Sequence, residues 1–295
     1  MIALTLPEPP ARRDPTDAAG PPETLIEPPG RWRWLPLAEL WAYRDLCRML
    51  AWRDVQVRYK QTALGVAWAV FQPLVLMGLF AVFFRRVAHV ATGDVPYPLY
   101  AYAGLLPWFL FAGAVSAAAN SLVDSERLIT KVYFPRLVIP IGAAAVAVVD
   151  FLIAAAALVV LMLAYGSRPG WGGLLIPLAV GMIFLTALGV GSLLAALNVK
   201  YRDFRHALPF LIQAWMFATP TVYLSLDAGT ELPDWLWATA HLNPLTGQIA
   251  FARAAMLGEP LPWAAFGVGS AVGAVLLAVG VIVFARVEDG FADAI

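Results

Sequence analysis

LVIPIGAAAVAVVDFLIAAAALVVLMLAY, residues 137–165, is an apolar run of 29 residues broken by one charge, Asp150. About 20 such residues cross a hydrocarbon core as a helix. Five more stretches are near or above that length: 63–84, 97–122, 171–197, 207–226 and 263–285. None of those five carries a formal charge. Backbone groups cannot stay unpaired in lipid, and a barrel would alternate rather than run continuously apolar, so the spans are helices. Hydrophobic residues make up 61% of the chain and charged residues 14%, which excludes an ordinary soluble domain. The expected fold is all-α: a polytopic membrane protein with six transmembrane helices.

Basic residues orient it. Six spans put both termini on one side, with Arg12, Arg13, Arg31, Arg33, Arg44, Arg48, Arg53, Arg58, Lys60, Arg127, Lys131, Arg136, Lys200, Arg202, Arg205 and Arg286. The other side keeps only Arg85, Arg86, Arg168 and Arg253. The positive-inside rule then places both termini in the cytoplasm. A miscounted span would scatter these charges more evenly.

Residues 1–30 contain eight prolines and no apolar periodicity, the composition of a flexible cytoplasmic tail. Residues 31–62 differ. Leu37, Leu40, Trp41, Cys47, Leu50 and Ala51 recur at helical spacing, with Arg44 and Arg48 elsewhere on the wheel. Arg53, Asp54, Arg58, Tyr59 and Lys60 follow before the chain turns inward. This is the pattern of an amphipathic helix on the inner membrane surface, touching membrane lipids; a surface helix packed on the bundle has the same pattern. Residues 63–295 form the six-span domain, in which 227–262 lies on the outer side and holds two amphipathic pieces too short to cross, expected to dip into the outer half of the bundle.

Catalytic and metal chemistry find no support. Cys47 is alone, and His89, His206 and His241 have no metal-ligand spacing. No nucleophile elbow or zinc-protease pattern occurs. None of the three lysines, Lys60, Lys131 and Lys200, follows a glycine, so the chain has no GxxxxGK phosphate loop. Any ATP-driven step must use a separate subunit. Two compact charged loops, SERLITKVYFPR (125–136) and NVKYRDFRH (198–206), are where such a subunit would dock.

Five motifs in order carry a resemblance: WRDVQVRYKQTALGVAWAVFQP (52–73), YPLYAYAGLLPW (97–108), LITKVYFPRLVIP (128–140), ALNVKYRDFRHALPFLIQAWMFATPTVY (196–223) and LNPLTG (242–247). From about Ile26 onward the chain resembles the permease subunits of type-two ABC exporters of cell-surface polysaccharide, and most of all the lipopolysaccharide O-antigen transport permeases. The resemblance implies a homodimer in the bacterial inner membrane, paired with two copies of an ABC ATPase that binds ATP and Mg. It implies a substrate polysaccharide linked to an undecaprenyl-type lipid carrier, and no nucleic-acid partner. Lys131, Val132, Tyr133, Phe134, Pro135 and Arg136 match the family's coupling element, and Tyr201, Arg202 and Asp203 its second cytoplasmic loop. Phe134 would be an apolar anchor there, with Arg136 and Arg202 pairing carboxylates on the ATPase. Basic residues that only fix topology and touch headgroups fit the charge equally well. The 227–262 segment matches the periplasmic gate, although Ala250 stands where the family usually has glutamate; Arg253 is retained.

A sugar polymer needs flat apolar faces and amide or hydroxyl partners along its path. Candidates for the path or gate are Phe71, Gln72, Trp108, Phe109, Gln213, Trp215, Phe217, Tyr223, Asn243, Pro244 and Arg253. Asp150 has two roles open to it: a structural polar contact, or a proton relay in a secondary transporter. An exporter of a lipid or hydrophobic drug with the same architecture is a further alternative.

Overall fold

A computed structural model of the chain describes residues 37–60, 65–86, 95–129, 134–167, 170–201, 203–219, 240 and 242–288. The chain divides into Met1–Trp34, outside those residues, and the unit Leu35–Ile295, to which everything below refers. The described residues are helical, without a strand. In order they form α1 (Leu37–Ala42), α2 (Arg44–Lys60), α3 (Gly65–Arg86), α4 (Tyr97–Asp124), the short α5 (Glu126–Ile129) and α6 (Val138–Ala164). A 3₁₀ turn at Trp171–Leu175 leads into α7 (Ile176–Lys200). Then come α8 (Phe204–Phe217), α9 (Pro244–Leu257) and α10 (Trp263–Val287).

Five of the described helices are long and apolar enough to cross a membrane: α3, α4, α6, α7 with its 3₁₀ turn, and α10. They coincide with five of the six expected spans to within a few residues. The expected span 207–226 is described only to residue 219, where α8 contributes 14 residues; its remainder, with Tyr223, lies outside the described residues. The sixth crossing is therefore an expectation rather than an observation.

α4 is the axis of the bundle, packed along α6 on one side and α7 on another, with α10 against the far side of α7. Lipid offers helices no hydrophobic reason to associate, so close backbone approach and polar ties do this work. The sequence supplies both. A side chain at Gly189 of α7 would sit 2.5 Å from the Leu277 backbone of α10, and one at Gly191 would sit 2.6 Å from Ala118 Cβ of α4. The Asn198 amide donates to the Ala119 carbonyl at 2.8 Å, and the Tyr102 hydroxyl donates to the Ala154 carbonyl at 3.2 Å.

At one end of the bundle a second apolar cluster gathers Leu50, Leu122, Ile129, Phe134, Leu137, Val138, Val199, Val281 and Phe284, from α2, α4 to α7 and α10. Arg136, Lys200 and Arg286 stand around it, so this is the basic end. α9 belongs to the opposite half. Its first residue, Pro244, lies against Gly269, its fifth, Gln248, reaches Thr186 beside Gly273, and its end, the left-handed Gly258, abuts Gly170. Gly269 lies six residues into α10, so α9 begins roughly 9 Å inside the end of that helix and climbs towards the 3₁₀ turn, a half-helix that enters the bundle without crossing it.

Gly189→Val places a branched side chain against the Leu277 backbone and is expected to cost about 1–3 kcal/mol, read as a lower Tm of the detergent-purified protein. Gly181→Ala, facing open space on the same helix, is the matched control and leaves Tm unchanged.

Candidate functional site: polar residues at the helix junctions

Asp150 sits midway along α6 and is one-fifth exposed. Its Oδ2 pairs with Arg58 Nη2 at 2.7 Å, and the Tyr59 hydroxyl donates to its Oδ1. The partners are consecutive residues at the end of α2. Burial first, and the carboxylate second, hold the Tyr59 phenol well above its ordinary range. Asp150 lies fourteen residues before Ala164, ~21 Å of helix, so an α6 flush with one membrane face at Ala164 carries the acid ~9 Å inside the other face of a ~30 Å core.

Of the two readings of residues 31–62, a helix packed on the bundle is the one that the contacts of α2 support. It packs on α6 through Cys47, Leu50 and Ala51, where Gly142 offers no side chain to hold it off. Burial against α6 raises the pKa of the Cys47 thiol. Trp41, Met49, Trp52 and Val57 remain exposed. Arg53 pairs with its neighbour Asp54 at 2.8 Å, and Lys60 ends the helix.

At the basic end, Lys131, Val132, Tyr133 and Arg202 lie outside the described residues; Phe134 to Arg136, Tyr201 and Asp203 lie within them. The expectation that Phe134 offers its ring to a partner is corrected. It is 4% exposed and packed among Leu122, Ile129, Leu137 and Phe284, so it seats the loop in the chain's own core. Arg136 is likewise engaged internally. Its backbone N–H donates to Glu288 Oε1 at 2.7 Å, and its guanidinium donates to the Glu288 carbonyl. Glu288 caps the end of α10 and was not singled out by sequence, because nothing in a carboxylate beyond the last span signals a partner 152 residues away. Pro135 is buried, while Tyr201 and Asp203 are exposed.

The opposite half holds a second polar junction. Asn243 caps α9 by accepting from the Leu245 N–H at 3.1 Å, with Pro244 as the first helical residue. The Asn243 amide donates to Thr219 Oγ1 at 2.8 Å and to the Ala218 carbonyl at 3.2 Å, and Trp215 Nε1 donates to Asn243 Oδ1 at 3.3 Å. One side chain thus ties the end of α8 to the start of α9. Trp215 stands edge-on to Phe111, with centroids 5.1 Å apart, and Phe111 adjoins Trp108. Gln248, fully buried, donates to Thr186 Oγ1 at 3.0 Å and to the Gly269 carbonyl at 3.3 Å, locking α9 to α7 and α10. Sequence reasoning passed over Gln248; an amide in a buried amphipathic piece was the available signal. Arg253 stacks on the Tyr100 ring, 3.9 Å from its centroid, which gives the buried cation a π-face where Ala250 gives it no carboxylate.

The expected path residues therefore divide. Trp108 is buried and Phe109 and Trp215 half-buried, so they build the bundle. Phe71, Gln72, Gln213 and Phe217 point outward from α3 and α8. No group of acidic, histidine and cysteine side chains able to hold a metal occurs among the described residues.

With this geometry in view, comparisons with known proteins are specific. Residues 45–257 match the family described as ABC-2 type transporter. The chain is 31% identical to an O-antigen export system permease protein, RfbA, of Myxococcus xanthus, over 87% of this chain and 98% of that protein. It is 29% identical to the RfbA permease of Klebsiella pneumoniae, over 84% and 94%. It is 23% identical to the polysialic acid transport protein KpsM of Escherichia coli, over 70% and 78%. The chain belongs to the ABC-2 type transporter family.

Phe134→Ala is expected to open a cavity in the basic-end cluster and cost about 3–5 kcal/mol, seen as a large drop in Tm even without any partner protein. A Tm equal to wild type would mean that the ring is not part of this core.

Proposed function

We propose that the chain is the membrane-spanning subunit of an ATP-driven exporter of a lipid-linked cell-surface polysaccharide of O-antigen type. The likeness to O-antigen export permeases, running over nearly their whole length, is the observation that carries this reading. The chain works as a homodimer in the bacterial inner membrane, with both termini cytoplasmic, and ATP and Mg are bound by two copies of a separate ATPase. The missing phosphate loop agrees with that division of labour.

The chain's own surfaces support the dimer. α3 and α8 contribute few buried residues, and Phe71, Phe210 and Phe217 lie exposed on them. Gln72 and Gln213 are exposed on the same helices, and an amide at membrane depth needs a partner or a wet lumen. Two copies that bring α3 of one against α8 of the other cover the rings and leave the amides to a shared path for sugar hydroxyls. The ATPase meets the basic end at the 131–136 and 201–203 loops. There Tyr201 and Asp203 are the exposed contacts, while Phe134 and Arg136, tied to the core and to Glu288, hold the loop in shape. Residues 227–262, including α9, form the outer gate segment. Asp150 is engaged by Arg58 and Tyr59, which favours a structural role over proton relay.

A cysteine placed within 71–76 and another within 212–217 on the second copy are expected to form an intermolecular disulfide. In vesicles with the partner ATPase, oxidation then stops polysaccharide export and reduction restores it. Full export through a confirmed cross-linked dimer would remove the α3/α8 seam from the path, and export of bare lipid with no polymer would replace the substrate class.

A further inference from the structure

Among the described residues, Asp150 is the one charge in the interior of a spanning helix. Its two partners are neighbours on α2, so the carboxylate is wedged between two side chains that diverge by about 100° on their helix. A second contact lies eight residues earlier on both helices. A side chain at Gly142 would meet Leu50 Cβ at 3.2 Å, the Ala51 nitrogen at 3.5 Å and the Cys47 carbonyl at 3.5 Å. Equal spacing on both sides means that α2 and α6 run parallel and touch at two points ~12 Å apart. One contact would leave α2 able to swivel. Two contacts, one apolar and close, one ionic and directional, fix its axis as well as its place.

What α2 carries forward is the first span. α3 starts at Gly65, whose φ of +30° lies in the left-handed region that favours glycine. Beyond it, α3 is the least buried of the spanning helices, with Trp68, Phe71, Val75, Leu79 and Val82 exposed. The helix is thus strongly anchored at its root and weakly held along its length. When the bundle changes shape the weak contacts yield first, because lifting α2 would strand a carboxylate in an apolar helix.

We propose that Asp150 is a positioning residue for export: with Arg58 and Tyr59 it makes α2 a fixed post on α6, and the first span pivots about Gly65 while that post stays in place. This rests on the exporter reading above, but its first test does not. Cys47 is the only cysteine in the chain and lies half-buried against α6, so its labelling by a maleimide reports departure of α2.

In the purified chain in lipid nanodiscs, Asp150→Ala and Arg58→Ala are expected to label at Cys47 about tenfold faster than wild type, the factor that corresponds to ~1.4 kcal/mol. Tyr59→Phe is expected to label at an intermediate rate. The exchange of Asp150→Arg with Arg58→Asp restores slow labelling there and, in sealed vesicles with the partner ATPase, export, which a mere loss of folding in the single variants would not allow. Unchanged labelling in both alanine variants would overturn the post. In a Cys47→Ser background, Leu50→Cys with Gly142→Cys is expected to cross-link and keep export, since the post does not move. Export lost on oxidation and regained on reduction would show that α2 must leave α6, and would overturn the proposal. Gly65→Ala is expected to slow export about tenfold with Cys47 labelling unchanged, whereas full export in this variant would remove the pivot. If the wild-type complex exports no polysaccharide, the exporter reading fails, and labelling alone decides whether the post exists.

Discussion

Helices in a bilayer gain nothing by hiding apolar side chains from lipid that is equally apolar, so this bundle depends on contacts that lipid cannot imitate. Backbone-to-backbone approach is one kind. Gly189 and Gly191 on a single helix face α10 and α4 respectively, and Gly142 faces α2, so α7 and α6 each owe their neighbours to the absence of a side chain. Buried polar ties are the other kind. Asn198 to Ala119, Tyr102 to Ala154 and Gln248 to Thr186 and Gly269 each join different helices, and each leaves an unsatisfied group in an apolar place if broken. Removing one methylene from a leucine facing lipid changes little here; adding one methyl at Gly189 changes the spacing of the bundle.

The polar ties also divide the molecule by mobility. α9 is held by its Asn243 cap at the inner end, by Gln248 in the middle and by the Gly170–Gly258 approach at the surface, where a side chain at Gly170 would lie 2.7 Å from Gly258 Cα. A half-helix fixed at three levels moves with α7 and α10 rather than against them. Its start is tied to α8 as well, since the Asn243 side chain accepts from Trp215 and donates to Ala218 and Thr219.

Much of this was legible in the sequence, and for a simple reason. Span existence is written in local composition, and five apolar runs became helices with nearly their expected ends. The LNPLTG motif held a further signal that the family resemblance left unused, asparagine before proline, which the structure shows as the cap and first residue of α9. What stayed hidden was pairing over long separations. Phe134 in KVYFPR has the profile of an exposed anchor, and only Phe284 and Leu122, far away in the chain, make it core. Asp150 announced that it needed a partner but not that the partner was 91 residues earlier, on a helix whose own pattern spoke only of the membrane surface. Glu288 gave no signal at all. Gln248 gave a signal, an amide in a piece expected to dip into the bundle, but not the identity of Thr186 and Gly269 as its partners.

The distribution of burial is what makes the proposed dimer physically reasonable. α4 is almost wholly enclosed, whereas α3 and α8 present rings and amides to their surroundings side by side. Rings alone would be at home in lipid and would ask for nothing. Amides alone would mark a surface in water. Gln72 with Phe71, and Gln213 with Phe217, satisfy neither solvent, and the proposed seam between two copies would give the rings protein and the amides a wet path. In that proposal α3, loosely packed along its length, is the wall with the fewest contacts to lose.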